Sequence, residues 1–291
     1  MEEDLSLPTG IQTFKDVIEL GGIYVDKTAY LAKMIETVPK TWFLARPRRF
    51  GKSLTVSTFK SIFSGQRELF KGLAIEKMLV QKKFAPRPVI HLDLSTLTTS
   101  QGKKRFYKSL IDTTKMLYES LNIDVPDYDS VSALFSYLIT KCSKTYDSQV
   151  VVLIDEYDTP ITKLLDKPDE AENARKALRE FYSQLKANDE YISFVFVTGI
   201  TKYIKGGLYS AFNNPTDISL RPQFGALTGF THDEIKRYYG QAIKQVAKSQ
   251  KVTNEELLGE MKRYYNGFCF DAETLVYNPF STLRFFEEKK F

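Results

Sequence analysis

Arg46-Pro47-Arg48-Arg49-Phe50-Gly51-Lys52-Ser53 carries the second half of the phosphate-binding pattern G-x-x-x-x-G-K-[ST]. Each residue type there has a task. Gly51 lets the backbone approach phosphate oxygens, and the N–H groups opening the next helix form an anion nest. Lys52 can reach the β- and γ-phosphates of a nucleoside triphosphate, and the Ser53 hydroxyl can help coordinate Mg²⁺. Arg46 stands where the pattern has its first glycine. That departure predicts a differently shaped loop entry, braced by Pro47, with Arg46, Arg48 or Arg49 adding positive charge beside the nucleotide. With Leu54 at the helix start, residues 46–54 form the expected nucleotide-binding set. A surface turn with incidental basic residues is the alternative that the tripeptide alone leaves open.

A second chemical element follows about a hundred residues later. Val150-Val151-Val152-Leu153-Ile154 is continuously apolar and ends in Asp155-Glu156, the pattern of a Walker B strand. Asp155 is expected to hold the metal shell together with Ser53, and Glu156 to orient or deprotonate an attacking water. Lys52, Glu156 and Thr201 form the expected catalytic set, Thr201 because a polar residue past the next strand can sense a γ-phosphate. Thr198 fits that task equally, and a buried strand-end threonine is as good a reading of either. Asp158 is a further polar contact or part of a turn; a solvated acidic turn is the alternative for the whole element.

These side chains need a sheet to bring them together. Apolar runs alternate with helical patterns, the signature of an α/β domain with a mostly parallel sheet. Strands are expected at 41–45, 88–94, 150–154 and 191–198, with a weaker one at 217–220. Helices are expected from residue 52 (Leu54, Phe59 and Ile62 turned inward) and at 106–121, 131–142 and 169–187. Ligands bind beyond the carboxyl ends of parallel strands, which sets Asp155 and Glu156 beside the loop. The interval between Ser53 and Asp155 has room for a strand inserted between the loop strand and the acidic one, a topology of the catalytic-glutamate branch of P-loop enzymes. Beyond Gly229 the pattern turns helical, with Thr231 as an N-cap, a second helix starting after Thr253-Asn254 and Asn266-Gly267 as its stop. The expected architecture is therefore a three-layer P-loop NTPase domain of about five strands over residues 1–228 and a small helical subdomain over 229–291.

Composition bounds the rest. The 291 residues are 43% hydrophobic and 26% charged, near the averages of soluble domains. No apolar run is long enough for a membrane span, and Met1-Glu2-Glu3-Asp4 lacks the regions of a signal peptide. Two cysteines, Cys142 and Cys269, imply neither a disulfide framework nor a zinc cluster, in keeping with a reducing cytoplasm. A net charge of +5 serves nucleotide phosphates, a nucleic-acid partner or solubility alike.

Several motifs together resemble a mostly bacterial AAA-ATPase-like family: Leu7-Pro8-Thr9-Gly10-Ile11, Tyr24-Val25-Asp26-Lys27-Thr28, the loop at 46–53, the acidic strand end at 153–158, Phe212-Asn213-Asn214, Leu227-Thr228-Gly229-Phe230-Thr231, Tyr265-Asn266-Gly267-Phe268 and Tyr277-Asn278-Pro279-Phe280-Ser281. Arginine in place of the first loop glycine is usual in that family. The resemblance implies an AAA/STAND-like ATP-binding domain, often followed by a PD-(D/E)XK nuclease-like domain that these 291 residues do not reach. Three functions remain in view: a Mg²⁺-dependent ATPase coupling nucleotide state to conformation or a partner, a nucleotide-gated switch with little turnover, and a nucleic-acid-associated module. Self-association or a protein partner is open. Among other features, Tyr24–Thr28 reads as an edge strand and N-cap or as a wall near adenine. His91 reads as a core or edge residue and His232 as solvent-facing. The aromatic run 264–270 reads as a helix-end cluster or a base-stacking surface, and Arg221 and Arg237 as solvated residues or arginine fingers.

Overall fold

A computed structural model describes residues 6–81, 84–99, 102–202 and 207–291; the acidic Met1–Asp4 segment lies outside them. In chain order the elements are α1 (Phe14–Glu19), α2 (Thr28–Glu36), β1 (Thr41–Ala45), α3 (Lys52–Phe63), α4 (Glu76–Gln81), β2 (Val89–Asp93), α5 (Gly102–Ser120), α6 (Val131–Thr145), β3 (Val150–Asp155), α7 (Thr159–Thr162), α8 (Pro168–Ala187), β4 (Ile192–Gly199), β5 (Thr216–Asp217), α9 (His232–Tyr238), α10 (Gly240–Gln250), α11 (Asn254–Tyr265), β6 (Phe268–Cys269), β7 (Leu275–Val276) and α12 (Pro279–Glu288).

The five longer-range strands form one parallel sheet in the order β2-β3-β4-β1-β5. Every residue of β3 is buried, because both sheet faces are covered and only an unbroken apolar run suits such a strand. Alternation along the strands sorts the core into two layers. Phe43, Val150, Val152, Ile154, Val195 and Val197 join the cluster built with α5, α6 and α8. Trp42, Leu44, Val151, Leu153, Phe194 and Phe196 join the opposite cluster, with Phe14, Leu31, Phe59 and Ile62. Leu54, expected inward, is only partly buried against that second layer. This is a three-layer α/β sheet with a P-loop NTPase-like fold.

Three expectations are corrected. The strand inserted between β1 and β3 is β4, which follows β3 in the chain; β2, the strand that the sequence offers between Ser53 and Asp155, lies at the sheet edge. The edge strand expected at 217–220 is Thr216–Asp217. It stops early because the Ser219 hydroxyl, at 2.8 Å, replaces the next backbone rung by accepting from the Ala45 N–H. Tyr24–Thr28 is no strand: the Asp26 carboxylate accepts from the Thr28 N–H at 2.8 Å and from the Ala74 N–H at 2.8 Å, pinning the start of α2 to the loop before α4.

Past Gly229 the chain is mainly helical, with Thr231 and Thr253 each closing a capping box. Its own apolar core, around Ile235, Tyr239, Val246, Met261 and Phe286, also takes in Val25 from the N-terminal segment. Between α11 and α12 runs the antiparallel pair β6-β7, which strands of two residues each leave without any visible period. A backbone bridge joins Phe230 to Tyr277 (Phe230 N–H to Tyr277 O, 3.2 Å; the return bond 2.7 Å). It links the Leu227–Thr231 and Tyr277–Ser281 motifs directly.

Candidate functional site

The loop leaves β1 and turns into α3 through two residues in the left-handed region, Arg49 (φ 66°) and Gly51 (φ 86°). Glycine adopts that conformation freely, so α3 can begin at Lys52 with its first N–H groups free to face a ligand. Lys52 is almost fully buried; its ammonium lies 3.1 Å from the Pro47 carbonyl and 3.6 Å from Glu156 Oε1. The second Glu156 oxygen accepts from the Thr159 hydroxyl at 2.6 Å. Glu156 itself has φ 52°, a conformation that costs a non-glycine residue about 1–3 kcal/mol and concentrates at functional positions.

Beside it, Asp155 accepts from the Glu156 N–H at 2.9 Å and from the Ser53 hydroxyl. Burial pushes the Asp155 carboxyl up to about 6; the Ser53 hydrogen bond opposes this, while Glu156 and Asp93 add to it. Asp158 is buried, and its carboxylate accepts from the Ile200 N–H (3.1 Å), the Thr201 N–H (2.8 Å) and the Thr201 hydroxyl (2.7 Å). At Gly199 a Cβ would stand 2.4 Å from an Asp158 oxygen, so the chain passes there only as glycine.

One cavity of about 500 Å³ gathers these groups. Its walls include Arg48, Arg49, Phe50, Gly51, Lys52, Ser53 and Leu54, with Asp155, Glu156 and Thr159. Beyond the acidic pair it reaches Asp93, Ser95 and Lys163; in the other direction it runs between Pro8, Gly10–Gln12, Tyr24, Val25, Thr228–Phe230, Tyr239 and the start of α12.

Three residues of the expected sets, Arg46, Pro47 and Thr201, are absent from those walls. Arg46 is 1% exposed and turned away: its guanidinium donates to the Ala45 carbonyl (3.0 Å), the Ser219 carbonyl and the Phe224 carbonyl (3.4 Å), and lies 4.1 Å from the Phe270 ring centre. Burial pulls its pKa down to about 10, with Asp271 and Asp217 holding it up. Pro47 is absent too, contributing its carbonyl to Lys52. Thr201 is held by Asp158 and points out of the cavity, while Thr198 is fully buried with an unpaired hydroxyl. Arg48 and Arg49 are exposed at the rim, Arg49 stacked 4.1 Å over Phe280.

The sequence model of the family described as predicted AAA-ATPase matches residues 8–209. The chain belongs to the predicted AAA-ATPase family. Family membership points to nucleotide binding, and the loop, Asp155 and Glu156 all lie within the matched stretch. The chain is also similar to a protein from Azotobacter chroococcum mcd 1 described as "Uncharacterized protein in vnfD 5'region", 32% identical over 286 residues, covering 98% of this chain and 52% of the relative. The chain therefore spans about half the length of that relative.

The C-terminal walls of the cavity lie beyond the residues that the predicted AAA-ATPase model matches. Sequence reasoning named their motifs without assigning them to a site, since only tertiary contact brings them to the loop. Phe50, a loop residue, is 1% exposed because Phe268 and Phe270 pack edge-on against it at 4.8 and 5.3 Å. Tyr264 and Tyr265 pack on Phe291. The aromatic run is thus engaged with the protein's own rings. His232, expected to face solvent, is half-buried, with Nδ1 2.8 Å from the Tyr277 hydroxyl. His91 is half-buried in β2, its pKa lowered by burial and then by Lys60. Arg221 and Arg237 are exposed. Both cysteines are free, and among the described residues no helix is long and apolar enough to cross a membrane.

Proposed function

We propose that this chain binds ATP with Mg²⁺ and hydrolyses it, and that the state of the loop is passed to the C-terminal segment. The observation that carries this reading is the meeting of Lys52, Ser53, Asp155 and Glu156 in one cavity at the carboxyl ends of β1 and β3, with Lys52 and Glu156 3.6 Å apart. Ser53 and Asp155 are two oxygen donors on the walls of that cavity, and a site of one or two protein oxygens completed by substrate phosphates is what Mg²⁺ takes. Bound there, the ion would neutralise charge between the β- and γ-phosphates.

The chain's own groups then divide the work. Amide groups at the start of α3 cradle phosphate oxygens. Lys52 exchanges its contact with Glu156 for the phosphates, which releases one carboxylate oxygen to accept a proton from water. Thr159 holds the other oxygen and fixes the carboxylate's direction. Phe50, Arg46 and Arg49 connect the loop to Phe270, Phe268 and Phe280, so a change in loop shape bears on the segment after residue 228. We treat residues 1–228 as the nucleotide-binding unit and 229–291 as the helical unit that covers it.

A second reading has its own support: a switch that binds ATP and turns it over slowly. Both Glu156 oxygens are engaged in the resting structure, which keeps the general base occupied until Lys52 leaves. Calorimetry with ATP and GTP, with and without Mg²⁺, on wild type and Lys52→Ala, followed by phosphate release, separates the two. Hydrolysis lost in Lys52→Ala supports the ATPase. Tight binding with phosphate release no faster than that variant supports the switch. Binding of neither nucleotide sinks both.

A further inference from the structure

Buried hydroxyls in this protein ordinarily find partners. Tyr118 donates to the Leu134 carbonyl and Tyr182 to the Tyr157 carbonyl, Tyr277 meets His232, and Thr58, Thr114 and Thr282 bond the carbonyl four residues back. Among the described residues, four Thr or Tyr hydroxyls are buried without a partner: those of Thr9, Thr198, Thr228 and Tyr239. Thr228 and Tyr239 are the pair that line the cavity. A buried, unsatisfied hydroxyl is unfavourable unless something completes it.

Their surroundings say what that is. Thr228 sits before Gly229, whose φ of 85° turns the chain where a Cβ would stand 2.9 Å from Val276. The Phe230–Tyr277 bridge then fixes that turn. Tyr239 is 0% exposed, its ring stacked on Phe286 at 5.3 Å and tilted against Phe230 at 5.5 Å. Burial pushes its phenol well above the usual range, so it remains a neutral group able to donate or accept. Around the two lie Ile23, Val25, Phe230 and Leu283. An apolar slot walled by two residues with unpartnered hydroxyls suits a flat ring with a polar edge, and the anion-binding loop sets where the phosphates of the same ligand would sit.

We infer that Thr228 and Tyr239 read the nucleoside of the bound triphosphate, completing their hydroxyls on its base edge or ribose and setting which nucleoside is accepted. This rests on the reading of the loop as a triphosphate site. It gives the segment after residue 226 a part in ligand choice. A site built to hydrogen-bond its ligand rejects an analogue that leaves its polar groups unpaired.

The test uses the full chain, Thr228→Val and Tyr239→Phe, substitutions that keep volume and remove only the hydroxyl's bonding. Calorimetry is run with Mg²⁺ and ATP, GTP, 2′-deoxy-ATP or inorganic tripolyphosphate, alongside ligand-free melting. Each variant is expected to bind the preferred nucleotide about tenfold more weakly, the equivalent of about 1.4 kcal/mol. Tripolyphosphate affinity stays unchanged, and ligand-free melting temperature is unchanged or higher because an unpaired buried hydroxyl is gone. If the penalty disappears with 2′-deoxy-ATP the contact is to the ribose; if it disappears with GTP it is to the base. Unchanged nucleotide affinity in both variants overturns the inference. So does an equal loss for tripolyphosphate, or a fall in ligand-free melting that accounts for the loss. Failure of wild type to bind ATP, GTP and tripolyphosphate alike brings down the triphosphate reading first, and this inference with it.

Discussion

Within the loop from residue 46 to 53, the two ends of the pattern serve different neighbours. Gly51, Lys52 and Ser53, the half that keeps the phosphate-binding pattern, line the cavity with Asp155 and Glu156. Arg46, which departs from it, and Phe50, at one of its free positions, are 1% exposed and packed into protein: Arg46 on the Ser219 and Phe224 carbonyls and Phe270, Phe50 between Phe268 and Phe270. A glycine at position 46 would free the backbone; an arginine there ties β1, the segment 219–224 and the β6-β7 hairpin into one joint. The residue that breaks the pattern is thus one of those that couple the loop to the rest of the chain.

The largest expected effect lies on the cavity side. Glu156→Gln should lower phosphate release by about 10²–10⁴-fold, the usual weight of a general base, with ATP affinity retained in calorimetry; unchanged turnover removes Glu156 from the chemistry. On the protein side, Arg46→Ala should destabilise the fold by about 3 kcal/mol, since buried carbonyls lose their donor and Phe270 its cation. Chemical denaturation measures this, and ATP affinity of the folded fraction should stay near wild type. Loss of affinity without loss of stability would erase the contrast between the two ends. Lys52→Ala should weaken ATP binding by about 10–100-fold, the range of one charge-assisted hydrogen bond, while ligand-free melting changes little.

Two smaller effects sharpen the comparison. Burial acts to raise the Asp271 pKa, but the N–H groups of Thr274 (2.6 Å) and Glu273 (3.0 Å) outweigh it and hold the carboxyl at about 2. A folded-state pKa below the ordinary carboxylate value gives stabilisation that is full above that value and lost as pH falls towards 2. Melting curves of wild type and Asp271→Asn should therefore differ at pH 5 and above and converge near pH 2. Phe280→Leu, which removes the ring under Arg49, should cost about 0.5–1 kcal/mol of the loop's attachment, read as a small drop in melting temperature with turnover preserved.

Much of this was legible in the sequence where period and burial agree. β3 is a continuous apolar run because both its faces are covered, and its acidic end marked Asp155 and Glu156 at once. The Thr231 cap was legible because a helix start is signalled locally, and the start of α11 was placed to within a residue for the same reason. Strand order was less so: the interval from Ser53 to Asp155 shows that a strand intervenes in the chain, but which strand sits between β1 and β3 is decided by how the later crossover packs. The orientation of Arg46 was not legible, since its partners other than Ala45 lie more than 170 residues away, and neither was the β6-β7 pair. Thr201 looked suited to the cavity by position alone; Asp158, an acid three residues past Asp155, holds it elsewhere. The two hydroxyls of Thr228 and Tyr239 emerge only when every buried polar atom is matched with a partner.

The bridge between Phe230 and Tyr277 has a consequence for inheritance. It binds two stretches almost fifty positions apart in the chain, and the Gly229 turn inside it leaves a Cβ no room against Val276. Neither stretch can drift alone: a side chain gained at 229 requires a smaller one at 276, and a shift in either strand moves Thr228 and Phe280 together. Relatives that keep one of these two motifs are expected to keep the other, and those that lose the pair to have rebuilt this wall of the cavity entirely.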